Sequence, residues 1–589
     1  MCGIYGYFSF DEKVSGDGCL REMAERLHHR GPDGVGLYSK GQVGLGNVRL
    51  AIIDPEGGDQ PYFSDDNNVV VVQNGEIFNF RELRRELELE GVLFKSDCDT
   101  EVLLHLYLKM GMEFLSQLNG MFSIAIYDNR EQALYLARDR IGEKPLYFSK
   151  DASTLYFGSE IKAFLPYIEK NINHTALNAF LRLNYVPAPL TAFENVLHVM
   201  PGSYLSVTNV GVSEVQWWNL TTQSDSELQT EERWQEEFLN ILDDSVRMRL
   251  VSDVPFGAFL SGGVDSTSVV GLMSKHMDLP VKTYSIGFPD PRFDESIYAE
   301  MAAKRFNTEH HSKIVDYDIV SEWSDFIFYC DQPHGDVSFM PMRKVSELAA
   351  LDVKMVLTGD GADELFAGYE KHVPFLSRQD ISLYSDKEFL DGYLPYLSMF
   401  NTEDCKVLWK KEHQNKIDWS LVENELSEAL KSCEHFDPIN KGMYLDMHFL
   451  LPGNNLVKPD RMAMSKSLET RAPFLDYRMM EFAFRTPGKY KLHNGDKKYL
   501  YKKAVTPLIG EELAYRKKQM FTVPIGEWFR GELSKYCYDV LLSENSRITE
   551  LFSSVYMTNM LDKHVSGEAN YTREIRALIA IELWLQNSF

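Results

Sequence analysis

Residues 256–267 read FGAFLSGGVDST, and the pattern that determines the fold class of this chain begins here. The apolar run Phe256–Leu260 predicts a buried strand, the two glycines predict a turn, and Asp265–His276 has helical spacing. A second apolar run, Val281–Phe288, follows the helix, and a further helix and strand end at Val353–Leu357. Strands that alternate with helices predict a parallel sheet, whose ligands bind beyond the carboxyl ends of the strands.

The first 165 residues have a different texture. Short runs rich in β-branched and aromatic residues alternate with a few segments of helical spacing, which is typical of an α+β domain with a strand-rich core. The predicted strands are Gln42–Ile53, Val69–Gln73, Met121–Tyr127, Ala133–Arg138 and Leu155–Gly158, and the predicted helices are Arg81–Glu90 and Thr100–Lys109.

A polar and acidic stretch, Asn219–Glu232 (NLTTQSDSELQTEE), separates the two textures and predicts a linker. An amphipathic helix over Trp234–Leu250 follows it, and the chain is mostly helical after Glu364. We therefore expect a first domain over residues 2–215, a linker over 216–232 and a second domain over 233–589.

Composition disfavours several classes of protein. The chain has 589 residues, more than one core usually holds, and its 44% hydrophobic and 25% charged residues are typical of a globular protein. Its apolar runs are too short to cross a bilayer, and a formal charge of -26 disfavours nucleic acid as a partner. Seven scattered cysteines without a CxxC pair indicate neither a disulfide framework nor a zinc site. Since no export signal is visible either, we expect a cytoplasmic protein.

The glycine turn in LSGGVDST has the features of an anion-binding loop. Gly262 and Gly263 allow successive backbone amides to face an anion. Ser261 and Ser266 add hydroxyl donors at a helix N-terminus. Neither GxxxxGK[ST] nor a GxGxxG after a strand occurs, so the two common nucleotide signatures are excluded. Asp265 would repel phosphate unless Mg2+ lies between them, which makes it a candidate metal ligand. A helix cap after a glycine turn is the simpler alternative.

The chain begins MCGIYGYFSF, with a cysteine directly after the first methionine. If an aminopeptidase removes Met1, Cys2 carries both a free α-amine and a thiol, whose unperturbed pKa values are roughly 8 and 8.5. One residue then supplies a nucleophile and its base. Taken alone, Cys2 is explained as well by a small residue that begins a strand.

Four further segments follow MCG along the first domain: HRGPD (His29–Asp33), RLAIID (Arg49–Asp54), NGE (Asn74–Glu76) and DCDTE (Asp97–Glu101). Together the five segments resemble the glutaminase domain of class II glutamine amidotransferases. The resemblance implies an Ntn-hydrolase-type αββα fold in which Cys2 attacks the side-chain amide of glutamine.

The same resemblance implies a role for each polar residue. Attack on an amide creates an oxyanion that needs preorganised donors, and these are the Asn74 side chain and the Gly75 N–H. Arg49 is given the α-carboxylate of glutamine, because a guanidinium pairs bidentately with a carboxylate. Asp99 is given the α-ammonium, with Glu76 nearby. For Arg49 and Asp99 the alternative is a surface ion pair.

The second half resembles ATP pyrophosphatases in SGGxDS and asparagine synthetases in MVLTGDGADELFAGY (Met355–Tyr369). An α/β domain with a parallel sheet and a helical extension is implied, which binds ATP as substrate together with Mg2+. Asp265 and Asp363 are the implied metal ligands. Asp360 stands where a bacterial member has glutamate, which leaves its part in proton transfer open. The implied ATP-binding residues are Leu260, Ser261, Gly262, Gly263, Asp265, Ser266, Ile286, Thr358 and Gly359.

Three later segments continue the resemblance, namely Lys458–Asp476, Gly495–Ala504 and Lys518–Trp528. Lys498 is the implied catalytic cation that faces the α-phosphate. Lys497 is its neighbour, and adjacent lysines usually form a solvated face, so the register between the two stays open.

The two resemblances imply one coupled reaction. Glutamine hydrolysis supplies ammonia through an enclosed passage, and a carboxylate activated by ATP as an acyl adenylate accepts it, with release of AMP and pyrophosphate. With aspartate as the acceptor, the product is asparagine. A uronic acid or a peptide intermediate is the alternative acceptor, with selectivity expected in Asp336–Pro341 and around Asp460–Arg471.

Two further alternatives belong to other classes. A β-lactam-forming synthetase predicts a degenerate first domain, yet Cys2, Arg49, Asn74 and Asp99 are all present. A scaffold protein with vestigial sites predicts no activity at all. A homodimer is common in the family that the chain resembles.

Overall fold

The computed structural model of this chain describes residues 2–11, 16–220, 229–315, 318–517 and 524–589. Up to residue 220 the described helices are α1 (Gly16–Leu27), α2 (Phe80–Leu89), α3 (Asp99–Met110) and α4 (His174–Leu183). The described strands of this half are β1 (Gly3–Ser9), β2 (Gly34–Lys40), β3 (Val43–Arg49), β4 (Tyr62–Phe63), β5 (Val69–Ile77), β6 (Gly120–Asp128), β7 (Ala133–Arg138), β8 (Tyr147–Lys150), β9 (Thr154–Gly158), β10 (Val196–His198), β11 (Ser203–Thr208) and β12 (Gly211–Gln216).

These strands form two antiparallel sheets that face each other. The strand orders are β10-β8-β9-β1-β3-β2 and β12-β11-β7-β6-β5-β4. Helix α1 packs on the outer face of the first sheet, and α2 and α3 pack on the outer face of the second. The result is the αββα arrangement that the resemblance implies. Buried apolar side chains from both sheets form the core between them, including Ile4, Leu45, Val70, Ala125 and Leu205.

The start of β1, in the first sheet, lies against β5 of the second sheet. Cys2 directly precedes β1, which pairs with β3 from Gly3 onward. Asn74–Glu76 does not form a turn but lies within β5, which pairs with β6 over its whole length. A strand residue has its side-chain direction set by the pleat, so β5 holds Asn74 in a defined orientation.

The second half is an α/β region followed by a helical one. Its described strands are β13 (Phe256–Phe259), β14 (Lys282–Gly287), β15 (Glu309–Ile314), β16 (Met355–Leu357), β17 (Glu469–Arg471), β18 (Leu492–His493) and β19 (Asp496–Lys497). Its described helices are α5 (Glu231–Arg249), α6 (Val264–His276), α7 (Ser296–Phe306), α8 (Ile319–Cys330), α9 (Phe339–Ala349), α10 (Ala362–Leu365), α11 (His372–Leu376), α12 (Asp386–Leu397), α13 (Thr402–Leu408), α14 (Leu421–Ser432), α15 (Pro438–Leu445), a π-helical segment (Asp446–Asn455), α16 (Val457–Met464), α17 (Tyr477–Arg485), α18 (Tyr499–Ile509), α19 (Glu511–Tyr515), α20 (Ile525–Arg530), α21 (Ser534–Leu542), α22 (Ile548–Leu551), α23 (Ser554–Val565) and α24 (Thr572–Ser588).

A parallel sheet with the order β15-β14-β13-β16-β17 forms the centre of this half. From β13 the chain first builds outward to β14 and β15, and then returns to the other side of β13 with β16. A reversal of strand order opens a crevice at the carboxyl ends of the central strands. The loop that follows β13 and the turn that follows β16 therefore face the same crevice.

The predicted linker over residues 216–232 is only partly described. Strand β12 ends at Gln216 and α5 begins at Glu231, where the Thr230 side chain accepts a hydrogen bond from the Arg233 amide. Residues 221–228 of the linker lie outside the described part of the chain. No helix within the described ranges is long and apolar enough to cross a membrane.

Candidate functional site

Cys2 is buried between the two sheets of the first half. Its backbone N–H donates a hydrogen bond to Asn74 Oδ1 at 3.1 Å, which links the start of β1 to the middle of β5. Burial raises the pKa of the Cys2 thiol, and hydrogen bonds from the Leu50 backbone and the Asn47 side chain oppose the rise. The thiol therefore lies against donors that would stabilise a thiolate.

Asn74 and Gly75, on β5, lie beside Cys2. Asn74 Nδ2 makes only long hydrogen bonds, to Ser123 Oγ at 3.4 Å and to Ser159 Oγ at 3.3 Å. Gly75 has φ +144°, and a Cβ atom there would collide with the carbonyl oxygen of Met121. Only glycine fits this backbone position without strain.

Glu76 on β5 and Asp99 at the start of α3 are two buried carboxylates that are close enough to interact. Asp99 is the first residue of α3, and its Oδ2 accepts hydrogen bonds from the Ile77 amide at 3.0 Å and from Gln73 Nε2 at 3.1 Å. Burial raises the pKa of Asp99, and burial also raises the pKa of Glu76 well above its usual value. Glu76 Oε2 lies 3.5 Å from Arg471 Nη2 on β17, so the second half of the chain reaches these two carboxylates.

Arg49, at the end of β3, holds the loop that follows it. Its Nη1 donates to the Pro55 carbonyl and to Asp59 Oδ1, at 3.2 and 2.8 Å, and its Nη2 donates to the carbonyls of Ile53 and Asp54. Four of the five N–H donors of a guanidinium thus bind this loop, and Nε is not among them. A carboxylate ligand would have to bind Nε or replace Asp59.

The glycine loop of the second half lies at the carboxyl end of β13, as the sequence predicts. Gly262 has φ +68°, and a Cβ atom there would collide with the backbone of Tyr298. Ser261 Oγ and Ser266 Oγ lie 3.1 Å apart, and the Ser261 amide donates to Ser266 Oγ. This arrangement sets two hydroxyl groups beside the N-terminus of α6, where an anion is favoured.

Lys498 lies between the two carboxylates that the sequence assigns to a metal. Its Nζ donates to Asp265 Oδ1 at 2.7 Å and lies 2.7 Å from Asp363 Oδ1. Lys497 instead pairs with the exposed Glu370. The structure thus places Lys498, not Lys497, at the glycine loop.

The same geometry tests whether Mg2+ would fit. Asp265 and Asp363 converge on one ammonium, so their oxygens are close enough to share a single cation. Two carboxylates plus phosphate oxygens are a common ligand set for Mg2+. The described residues contain no group of three or more His, Cys, Asp or Glu side chains that would hold a metal without a nucleotide.

The remaining predicted residues line the crevice. Leu260 and Ile286 lie at the ends of the neighbouring strands β13 and β14, and the Leu260 amide donates to the Tyr284 carbonyl. Gly359 packs directly against the backbone of Asp265 and Ser266. Thr358 follows β16, and its amide donates to the Arg471 carbonyl at 2.8 Å. The predicted ATP-binding set is thereby brought together at one sheet edge.

Asp360 is half-buried next to this edge. Burial raises its pKa, which the positive charge of Lys458 opposes. Lys458 also lowers the pKa of the half-buried Asp336, against the effect of desolvation. Asp336 belongs to the segment in which we expect acceptor selectivity, so the charge of Lys458 acts both on that segment and on Asp360.

The other segment expected to set selectivity, Asp460–Arg471, has a different environment. Asp460 and Arg461 are buried in ion pairs with Arg30 and Glu160 of the first half. Arg471 Nε donates to Glu469 Oε1. The Asp460 and Arg461 side chains thus pair with the first half of the molecule, while the Arg471 backbone borders Thr358.

Sequence reasoning missed two residues of the sites. Asn47 carries no pattern of its own, because a single asparagine in a strand has no distinctive spacing. Arg516 donates from Nε to the Gly262 carbonyl at 2.8 Å and from Nη1 to Glu295 Oε1 at 2.7 Å, which places a second cation at the glycine loop. The basic run RKK at 516–518 in an acidic chain is a signal that could have indicated it.

Comparisons with known proteins agree with this division into two sites. The family model described as "Asparagine synthase" matches residues 237–586, and the one described as "Glutamine amidotransferase domain" matches residues 1–218. Asparagine synthetase [glutamine-hydrolyzing] 1 of Bacillus subtilis is 31% identical over 99% of this chain and 96% of its own length. Amidase chry2 of Gibberella zeae is 27% identical over 92% of each chain. The solved structure of the allosteric regulatory enzyme of purine biosynthesis covers 53% of this chain and 80% of its own, at 17% identity and a TM-score of 0.31.

Proposed function

The chain belongs to the asparagine synthase family, and on that premise we propose that it transfers the amide nitrogen of glutamine to the β-carboxylate of aspartate through β-aspartyl-AMP. The observation that supports this proposal is the presence of two distinct sites in one chain. Cys2 and Asn74 meet between two antiparallel sheets, while Lys498, Asp265 and Asp363 meet at the glycine loop of a parallel sheet.

The first half-reaction releases ammonia. Once Met1 is removed, the Cys2 amine takes the thiol proton and the sulfur attacks the side-chain carbonyl carbon of glutamine. Asn74 Nδ2 and the Gly75 N–H stabilise the oxyanion, and the long hydrogen bonds of Nδ2 are weak enough to be exchanged for it. The Cys2 ammonium returns its proton to the leaving nitrogen, so the tetrahedral species expels ammonia and leaves a thioester, which water hydrolyses to glutamate and the free Cys2 thiol.

Substrate recognition in this half uses charge. Asp99 and Glu76 bind the α-ammonium of glutamine, and that cation favours the ionised form of both buried carboxylates. Arg49 binds the α-carboxylate when the substrate replaces its contact with Asp59, which is 83% exposed and therefore easily displaced.

The second half-reaction consumes ammonia. A β-carboxylate oxygen of aspartate attacks the α-phosphorus of ATP. The bond from this phosphorus to the bridging oxygen breaks, and pyrophosphate leaves with its electron pair. Lys498 and Arg516 stabilise the negative charge on the phosphates. Asp265 and Asp363 would hold Mg2+, which supplies further charge neutralisation when bound. Ammonia then attacks the acyl carbon, and AMP leaves.

Asp360 is the proposed acceptor for the proton that ammonia loses in this step. Burial raises its pKa, which brings its basicity closer to that of an efficient general base near neutral pH. Its side chain is one methylene shorter than glutamate, so the nitrogen of the attacking ammonia would have to approach closely or use a water molecule.

Ammonia must travel between the sites as the neutral molecule, because ammonium is not nucleophilic. An enclosed passage between Cys2 and the nucleotide crevice follows from this chemistry. We further propose a cytoplasmic enzyme, on the ground of its scattered cysteines, and a homodimer, which analytical ultracentrifugation would test.

A second acceptor is the competing proposal, because a relative of similar length is named an amidase. The test is pyrophosphate release from ATP, with ammonia supplied, against aspartate, glutamate, a uronic acid and a carboxyl-terminal peptide. We expect aspartate to exceed every other acceptor by about 100-fold or more in kcat/KM, since buried polar groups reject substrates that leave them unpaired. Release of pyrophosphate with another acceptor but not with aspartate would replace asparagine as the product, whereas silence with all of them would contradict the ligase proposal.

A further inference from the structure

A buried cluster of ionised side chains joins the two halves of the molecule beside Cys2. Glu160 lies within ion-pair distance of Arg30, Lys162 and Arg461, and Asp331 pairs with Lys162. Three cations balance three carboxylates, and none of the six side chains is more than 6% exposed. The cluster comprises Arg30, Glu160 and Lys162 of the first half with Asp331, Asp460 and Arg461 of the second.

Arg30 is the member of this cluster that touches the nucleophile. Its Nε donates to the Cys2 carbonyl at 3.1 Å. Its two terminal nitrogens form a bidentate pair with Asp460, from Nη1 to Oδ2 at 2.8 Å and from Nη2 to Oδ1 at 2.9 Å. A guanidinium is planar and rigid, so a carboxylate that holds both terminal nitrogens also fixes the direction of Nε.

We propose that Asp460 is a positioning residue of the glutaminase site, which acts through Arg30 to hold the Cys2 carbonyl and so orients the nucleophile. The inference rests on the proposed role of Cys2. Glu160, the other carboxylate on Arg30, is shared with Lys162 and Arg461 and binds Nη1 alone, so it does not fix the plane of the guanidinium. The glutaminase site is thus completed by a residue of the synthetase half.

The position of Asp460 makes this contact a link between the two sites. Asp460 lies on α16, two residues after Lys458, whose charge acts on Asp360 and Asp336 at the acceptor side. Helix α16 therefore pairs with Arg30, which holds the Cys2 carbonyl, and also carries Lys458, whose charge acts at the acceptor side. Docking of the two halves positions both at once.

The test is Asp460→Asn, which keeps the shape of the side chain and removes one acceptor charge. We expect the glutaminase kcat to fall by about 10- to 100-fold, because misplacing a reacting group by a fraction of an ångström has an effect of that size. The KM for glutamine is expected to change less than about threefold, since the glutamine contacts are untouched, and ammonia-dependent pyrophosphate release is expected to stay within the same limit. Asp460→Glu, which keeps the charge, is expected to recover part of the glutaminase activity.

Glu423→Gln is the matched control. Glu423 on α14 forms another bidentate pair between the halves, with both terminal nitrogens of Arg182 on α4 at 2.7 Å. We expect Glu423→Gln to leave the glutaminase kcat unchanged. If Asp460→Asn does not fold, Arg30→Lys replaces it, because an ammonium keeps the charge but loses the fork, and the same split between kcat and KM is expected.

Three outcomes would contradict the inference. Glutaminase of Asp460→Asn within twofold of the wild type would show that the pair does not position Cys2. An equal loss of glutaminase and of ammonia-dependent synthesis, or an equal loss in Glu423→Gln, would show a general structural role. A wild-type protein without glutaminase would instead remove the proposed function of Cys2, and the inference with it.

Discussion

The glutaminase site and the nucleotide crevice are built in opposite ways. At the first, Cys2 precedes a strand and Asn74, Gly75 and Glu76 lie within one, so the sandwich sets their geometry. At the second, the carboxylates Asp265 and Asp363 lie in the first turns of α6 and α10 and are neutralised by the protein's own Lys498. Apart from the contact of Arg49 with the exposed Asp59, the first site is organised by strand geometry before its substrate arrives, whereas the second must exchange internal ion pairs for contacts with its proposed substrate ATP. We therefore expect the activity of the first site to depend mainly on backbone geometry, and the activity of the second site to depend mainly on charge.

The largest effect is expected from Cys2→Ala, which separates the two sites completely. Without a nucleophile, glutaminase should fall by about 1000-fold or more, because alanine offers no group that can form the thioester. Ammonia-dependent pyrophosphate release should remain within about threefold of the wild type, since Cys2 lies between the sheets of the first half and the glycine loop follows β13 of the second. Glutamate formation and pyrophosphate release measured on the same preparation check this. Loss of both activities would mean that the two sites are not independent.

Lys498→Met is the corresponding test of the second site. We expect synthesis from either nitrogen source to fall by about 100- to 1000-fold, as is typical when a charge that stabilises a transition state is removed. Glutaminase should persist. Lys497→Gln is the matched control, since Lys497 pairs with the exposed Glu370 and should change synthesis less than twofold. A larger loss in the Lys497 variant than in the Lys498 variant would reverse the assignment.

Gly75→Ala tests whether geometry limits the first site. The backbone has φ +144° and a Cβ atom would meet the Met121 carbonyl, so we expect a loss of about 2–4 kcal/mol in stability and of most glutaminase activity. Gly91→Ala is the control, because Gly91 has φ +94° with open space around it and should cost only about 1 kcal/mol. Thermal midpoints and glutamate formation distinguish the two. Equal behaviour of the variants would mean that conformation, not the close contact, requires glycine at position 75.

Glu143→Gln gives the smallest expected effect. It tests a buried carboxyl group that interacts with charges of both halves of the chain. Burial raises the pKa of Glu143 to about 8, with further contributions from Asp139 and from the second half's Asp476. A carboxyl that is protonated in the folded state and ionised in the unfolded state makes stability fall as pH rises between the two pKa values. We expect the wild type to lose about 1–3 kcal/mol between pH 5 and pH 8 for this reason, and the variant to lose less. Thermal midpoints at the two pH values measure the difference. A pH dependence that is the same in both proteins would indicate that Glu143 is solvated.

The sequence predicted the elements with strong local patterns. The strand, glycine turn and helix over residues 256–276 were correct to within one residue at each boundary, because an apolar run and a glycine turn act locally. Asn74–Glu76 shows the limit of local reasoning, since NGE has the composition of a turn but lies within β5. The cross-strand pairing with β6 outweighs the local preference there.

The sequence by itself determined the two textures of the chain, because these depend on residue types at short spacing, and its resemblance to known families indicated the nucleophile candidate and the class of chemistry. Only the tertiary structure decided that Lys498 rather than Lys497 faces the glycine loop, that Asn47 and Arg516 belong to the sites, and that Arg30 pairs with Asp460. The last pair is 430 positions apart in the chain. Contacts over such separations are selected by how the packed halves fit together, since no local pattern specifies which distant charge a buried arginine will meet.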